Sequence, residues 1–416
     1  MQSIDAGPLS LGQLSVWHDI RELPPSRRHE PNNAAVWDLP PGTAPDAVRA
    51  ALACLARRHP SLRTRYDLRD PDAPRQWVAE ETAPVVLPAA PAGGAPAEDQ
   101  ARVLAGEPFD LGREDGWRAR LVGDASGSQR LVFVKHHILA DAWAQEVLRR
   151  ELLREITAPG SLRATAPGPL HLAAEQHEPT GLRRQRAALE HWERLGSRAP
   201  AARLPDSGDA PGEVVQATLR SAPALAAARA FAGRAGVSVA SAVMAAYVRA
   251  VARRCGSDAL LVHLMSANRF AGRWKDVVTS MNQWVPTLVE GARADLTSLA
   301  GAVHWNSLRA VRHGMSDVTA VAALRTRAPQ ALEPACAFNH VAAPPGDEAR
   351  AAADSEGPAE PALSFETPFT TIGPRCYARS LEDGQVLTVR LTARDVGRAE
   401  CAALLWELHD ALLTTA

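Results

Sequence analysis

Nowhere does this chain hold apolar residues unbroken for 18 positions. Its longest apolar stretches meet an Arg or a polar residue first, which excludes a helix spanning a bilayer. The opening MQSIDAGPLSLG lacks a basic start followed by an apolar run, so no signal peptide is read there. Charge of one sign is also lacking: 46 Lys and Arg stand against 47 Asp and Glu, with a net charge of −1 and no basic stripe. Nucleic acid is therefore not an expected partner, and neither is a membrane. Cysteine is sparse. Cys54, Cys255, Cys336, Cys376 and Cys401 are far apart and never form a CxxC pair. That pattern excludes a disulfide framework and gives no metal site, and it fits reduced thiols in a cytoplasmic protein.

What is present is ordinary globular material. The 416 residues are 46% hydrophobic and 22% charged, enough for two or three domains. Segments rich in Pro, Gly and Ala read as loops: Pro88–Pro96, Ala158–Pro169, Arg198–Gly212 and Ala342–Pro361. The second suggests a boundary, giving lobes 1–165 and 166–416 with a crossover near 278–290. Helices are legible at Asp46–His59, at Ser238–Arg254 behind a Ser cap, and where Cys401, Leu404, Leu405, Leu408 and Leu412 recur at helical spacing. Strands are legible at Leu131–Lys135, Ala259–Met265 and Val386–Ala393. Both halves mix strand and helix, an α/β (α+β) composition.

The sharpest feature is LVFVKHHILADAW, Leu131–Trp143. A strand ends in His136 and His137, and Asp141 follows. Neighbouring strand residues point to opposite faces, so only one imidazole can meet a given substrate. A neutral imidazole accepts a proton near physiological pH, which suits activation of an amine or hydroxyl attacking a carbonyl. It could equally position the nucleophile or stabilise developing charge. The same string also fits a packed pair of histidines, or metal ligands with partners elsewhere.

Along nearly its whole length the chain resembles the condensation domains of nonribosomal peptide synthetases, in the superfamily that includes chloramphenicol acetyltransferase. His136-His137-Ile138-Leu139-Ala140-Asp141-Ala142 resembles HHxxxDG. PLSLGQLSVW, HPSLRTRY, EPFDLGREDGWRARLV and the segment ending in SANR (to Arg269) resemble further family motifs in order, and Phe338-Asn339 resembles a strand-borne pair. The resemblance implies two acetyltransferase-like α/β lobes in a V-shaped pseudo-dimer with a tunnel between them. It implies His137 as the catalytic imidazole, His136 as structural, and Asp141 paired with Arg269 across the lobe junction. Asp141 could instead only cap the helix beginning near Ala142. No bound cofactor is implied; a phosphopantetheine arm brings the acyl group. The expected partners are acyl or peptidyl carrier proteins acting in trans and an amine acceptor, small or carrier-bound.

Two departures stand out. Ala142 replaces the motif's Gly. SMNQWVPTL (Ser280–Leu288) replaces GxFVNTL, putting Asn282, Trp284 and Pro286 on the crossover. Proline cannot donate a backbone hydrogen bond, so an altered crossover is expected, with Trp284 either lining a pocket or packed in the core. Ala142, Asn282, Trp284, His263, Asn339 and His340 are the candidate substrate-binding residues. The expected activity is amide formation between a carrier-tethered acyl thioester and an amine. Its rivals are a docking module without chemistry and an ester-forming acyltransferase using a carrier or CoA donor.

Overall fold

The computed structural model describes residues 6–80, 86–90, 94–123, 129–162, 165–270, 272–328, 332–341 and 360–415. It divides into two compact units, one of Met1–Arg184 with Ala267–Asn282, the other of Gln185–Ser266 with Gln283–Ala416. The expected break at 165/166 thus differs from the observed one at 184/185, and residues 267–282 return to the first unit. The reason is packing: Trp274, Val277 and Met281 share an apolar cluster with Leu172.

The first unit runs β1 (Ala6–Pro8), α1 (Leu11–Ile20), β2 (Asn32–Asp38), α2 (Pro45–Arg58), β3 (Thr64–Asp67), β4 (Arg75–Val78), β5 (Val86–Ala90), α3 (Ala97–Ala105), β6 (Trp117–Gly123), β7 (Gln129–His136), α4 (Ala142–Thr157) and α5 (Pro169–His177). Its main sheet has the order β2-β7-β6-β5, and β1-β4-β3 form a smaller sheet. β7 is central and buried on both faces. Leu131 and Phe133 join Trp37, Trp117 and the apolar faces of α2 and α4, whereas Val132 and Val134 meet α3. This is the period-2 alternation of a strand with cover on both sides. β5 enters the stretch read from Pro88 as loop; a Pro is tolerated there because β5 is a sheet edge.

α6 (Pro179–Gly196) runs across residue 184. The second unit continues with β8 (Val214–Ser221), α7 (Ala222–Ala235), α8 (Val239–Cys255), β9 (Ala259–Ser266), β10 (Gln283–Glu290), α9 (Leu296–Ala310), α10 (Val318–Arg327), β11 (Cys336–Val341), β12 (Ala362–Glu366), β13 (Cys376–Asp383), β14 (Val386–Arg394) and α11 (Arg398–Leu413). Its seven strands are ordered β10-β9-β11-β13-β14-β8-β12. α7, α8, α9 and α11 bury their apolar faces on one side of the sheet. Ser238 caps α8 through a hydrogen bond from Ser241 N, as expected. Within 342–361, residues 342–359 lie outside the described residues. All five cysteines are free thiols. No single helix among the described residues is long and apolar enough to cross a membrane.

Candidate active site

The chain leaves β7 through a short turn in which the carbonyls of His136, Leu139 and Ala140 each have a donor. His136 O accepts from Leu139 N at 3.1 Å and His137 N donates to Pro31 O at 2.9 Å. Leu139 O accepts from Ser61 Oγ at 2.8 Å, and Ala140 O accepts from Lys135 Nζ at 2.5 Å. Each of these bonds restricts the shape the turn can take.

That turn separates the two histidines. His136, in step with Val132 and Val134, is 3% exposed. Its Nδ1 accepts from Ile138 N at 3.1 Å, so the neutral ring carries its proton on Nε2. Burial first, then His137 and Lys135, push its pKa down to about 3. It borders a cleft of about 940 Å³ within the first unit, shared with Trp17, Tyr66, Trp77 and Phe109. His137 is half-buried. Its Nδ1 faces Ala140 O at 3.5 Å, a long contact with an atom that can only accept. Burial, with the Lys135 ammonium second, holds its pKa below the ordinary histidine value, while Asp141 pulls the other way. The imidazole is therefore neutral near pH 7, with the lone pair on Nε2 when Nδ1 carries the proton.

Asp141 both pairs and caps, so the two readings of it merge. Arg269 Nη2 donates to Oδ1 at 2.8 Å and to Oδ2 at 3.0 Å. Ala144 N donates to Oδ1 at 2.8 Å, capping α4, and Met281 N donates to Oδ2 at 3.0 Å. Arg269 also donates from Nη1 to Val277 O at 2.8 Å and from Nη2 to Thr279 O at 3.1 Å. The pair lies inside the first unit rather than across a junction, because 267–282 packs with that unit. The backbone before it is unusual: Asn268 has φ of 55°, a region Asn tolerates better than most residues, and its Nδ2 donates to Met281 O at 2.9 Å. Ala142 is the exposed first residue of α4 with no positive φ, so no glycine is required there. Asn282 is half-buried and accepts from Ser280 Oγ at 3.1 Å.

The remaining candidates lie in the second unit. β10 continues unbroken through Pro286, in antiparallel register with β9. It is an edge strand, so the missing N–H costs no ladder bond. Trp284 is half-buried and meets Tyr377 edge-on at 5.3 Å. Asn339 Nδ2 donates to Tyr377 OH at 3.2 Å, which gathers Asn339, Tyr377 and Trp284 on one sheet face. His340 does not belong with them. One residue on, it points to the other face, where Nδ1 meets Ser380 Oγ at 2.9 Å. His263 is also corrected: it is 2% exposed, packed edge-on against Trp192 at 5.1 Å, and burial with nearby Arg325 lowers its pKa. It is a packed ring rather than a channel wall.

Sequence reasoning missed Lys135, Asn268 and Gly12. A Cβ on Gly12 would come within 2.3 Å of Ser280 O and 2.6 Å of Met281 Cα, so α1 abuts the segment that Asp141 holds. The signal for Lys135 was available: in the alternation Leu131, Phe133, Lys135, a charge takes a core position.

The condensation-domain family model matches residues 22–327, and the chain belongs to that family. The nonribosomal peptide synthetase kk1B of Curvularia clavata is 31% identical over 172 residues, covering 39% of this chain and 1% of that synthetase. The chain thus spans a very small part of the curated relatives it matches. Among solved structures, the condensation domain of the monacolin K polyketide synthase MokA superposes with a TM-score of 0.82 at 16% identity, covering 99% of this chain and 97% of that one. The condensation domain linked to chain release from the enacyloxin polyketide synthase gives 0.77 at 24% identity, covering 100% and 83%. At these identities the structures establish the fold alone.

Proposed function

We propose that this chain is a condensation enzyme that joins a carrier-tethered acyl thioester to an amine, with His137 as the catalytic imidazole. The observation that carries the reading is a neutral, half-buried imidazole at the end of β7, on a turn held by the Lys135–Ala140 O bond and the fully engaged Asp141 carboxylate. The amine nitrogen attacks the thioester carbonyl, forming C–N. His137 Nε2 takes the proton the nitrogen sheds. The tetrahedral intermediate then breaks C–S, and the proton passes to the departing thiolate of the phosphopantetheine arm. Asp141 and Arg269 do not touch the reacting atoms; they hold the turn. The partners in this reading are acyl or peptidyl carrier proteins, and the acyl arm they bring is substrate rather than resident cofactor. A docking module without chemistry is suggested by Ala142 and the altered crossover; Ala142 has no positive φ and β10 runs in register through Pro286, so neither supports it over the enzyme reading.

The test is intact mass of loaded carrier proteins incubated with this protein, offering amine and alcohol acceptors together. His137→Ala should lower amide formation at least ~100-fold, the scale of a proton-transfer residue, with unchanged folding by circular dichroism. Undiminished product from that variant overturns the assignment of His137. Ester as the sole wild-type product overturns the amide.

A further inference from the structure

Lys135 is the buried charge that the mechanism above leaves unused. Leu131 and Phe133, on the same face of β7, sit among Trp37 and Trp117. Lys135 takes the next such position at 1% exposure. An ammonium group there is costly, and burial pulls its pKa down to about 8, with Asp141 opposing. A core strand gains nothing from such a residue unless its head group has a task.

The head group has one partner of defined geometry. Nζ donates to Ala140 O at 2.5 Å, the same carbonyl that His137 Nδ1 faces at 3.5 Å. The Asp141 carboxylate, which begins at the next residue, is engaged by Arg269, Ala144 N and Met281 N. The charged groups acting on His137 are thus Lys135 and Asp141, with neutral His136 beside it.

We propose that Lys135 is a positioning residue for His137: by fixing the Ala140 carbonyl it keeps the imidazole proton on Nδ1 and leaves Nε2 as the free base. This rests on the reading of His137 as the proton acceptor. The ammonium also opposes a second proton on the ring, because two like charges would then share one buried turn. The lone pair on Nε2 consequently persists to lower pH than in a free histidine.

The test uses the full chain with ¹⁵N-labelled histidine, titrated by NMR without substrate, beside the pH–rate profile of condensation. Lys135→Met removes charge and donor; Lys135→Gln removes the charge and keeps a donor. Wild type should show the Nδ1–H tautomer at His137. Both variants should raise its titration midpoint by at least about 0.5 unit and carry the acid limb of the rate profile up equally. Only the Met variant should lose the tautomer preference. An Nε2–H tautomer in wild type overturns the proposal, whether or not the variants fold. So does an unmoved midpoint in both variants. Activity surviving in His137→Ala instead removes the functional reading, and leaves the NMR result standing.

Discussion

Breaking the Asp141–Arg269 pair from one side should be far worse than removing it whole. Both side chains are almost fully buried, at 3% and 2% exposure. Arg269→Met leaves a carboxylate with two backbone donors, no ion-pair partner in contact and only the Lys135 ammonium nearby, an imbalance that costs about 3–5 kcal/mol. Asp141→Ala strands the guanidinium, again about 3–5 kcal/mol, and also deletes the cap on α4, itself about 0.5–2 kcal/mol, so it should cost about 3.5–7 kcal/mol. Asp141→Asn combined with Arg269→Met removes both charges while leaving Oδ1 for Ala144 N. Removing both charges lifts the penalty of a lone buried charge, so the double variant should regain most of the loss, short of wild type because Met281 N and the Val277 and Thr279 carbonyls lose partners. A chain of two units has no single unfolding free energy. The assay is therefore hydrogen exchange by mass spectrometry on peptides spanning 142–157 and 267–282. At about 1.4 kcal/mol per decade, each single variant should speed exchange there at least ~100-fold, and the double variant should recover most of it. Additive losses in the double variant, or a change below tenfold in Arg269→Met, would refute the reasoning.

Two further outcomes are expected. His136, neutral when folded with a pKa near 3 against about 6.5 when unfolded, binds a proton only in the unfolded chain between those values. Stability should therefore be complete above pH 6.5 and fall as pH drops, and His136→Asn should remove ~1.4 kcal/mol per pH unit from that slope; equal slopes from pH 4.5 to 6.5 in the two proteins would contradict this. Gly12→Ala drives a methyl into the backbone of Ser280 and Met281, so it should cost about 1–3 kcal/mol and loosen 267–282 in the same exchange assay, whereas Gly233→Ala, with nothing within 4 Å of the added carbon, should not.

The parts of the fold that alternation and helical spacing determine were legible in the residues. α2, α8, α11, β7, β9 and β14 lie where their patterns put them, because their apolar residues recur at the helix or strand period and are the ones buried. The motif pointed to His137 and Asp141, and the resemblance supplied Arg269 as a partner across a junction; Arg269 Nη2 lies 2.8 Å from Asp141 Oδ1, within the first unit. What escaped were contacts whose other half is backbone. Asp141 meets Met281 N, Arg269 meets Val277 O, and Lys135 meets Ala140 O; an N–H or C=O carries no letter in the sequence. Asn339 and His340 were assigned together because they adjoin in sequence, yet a strand sends them to opposite faces, one to Tyr377 and the other to Ser380. The same rule separates His136 from His137. Used at every strand doublet, it would also have set Lys135 beside Leu131 and Phe133 on a core face. A charge at that register needs an acceptor beyond the strand's end, and the turn carrying His137 is the first stretch of chain able to provide one.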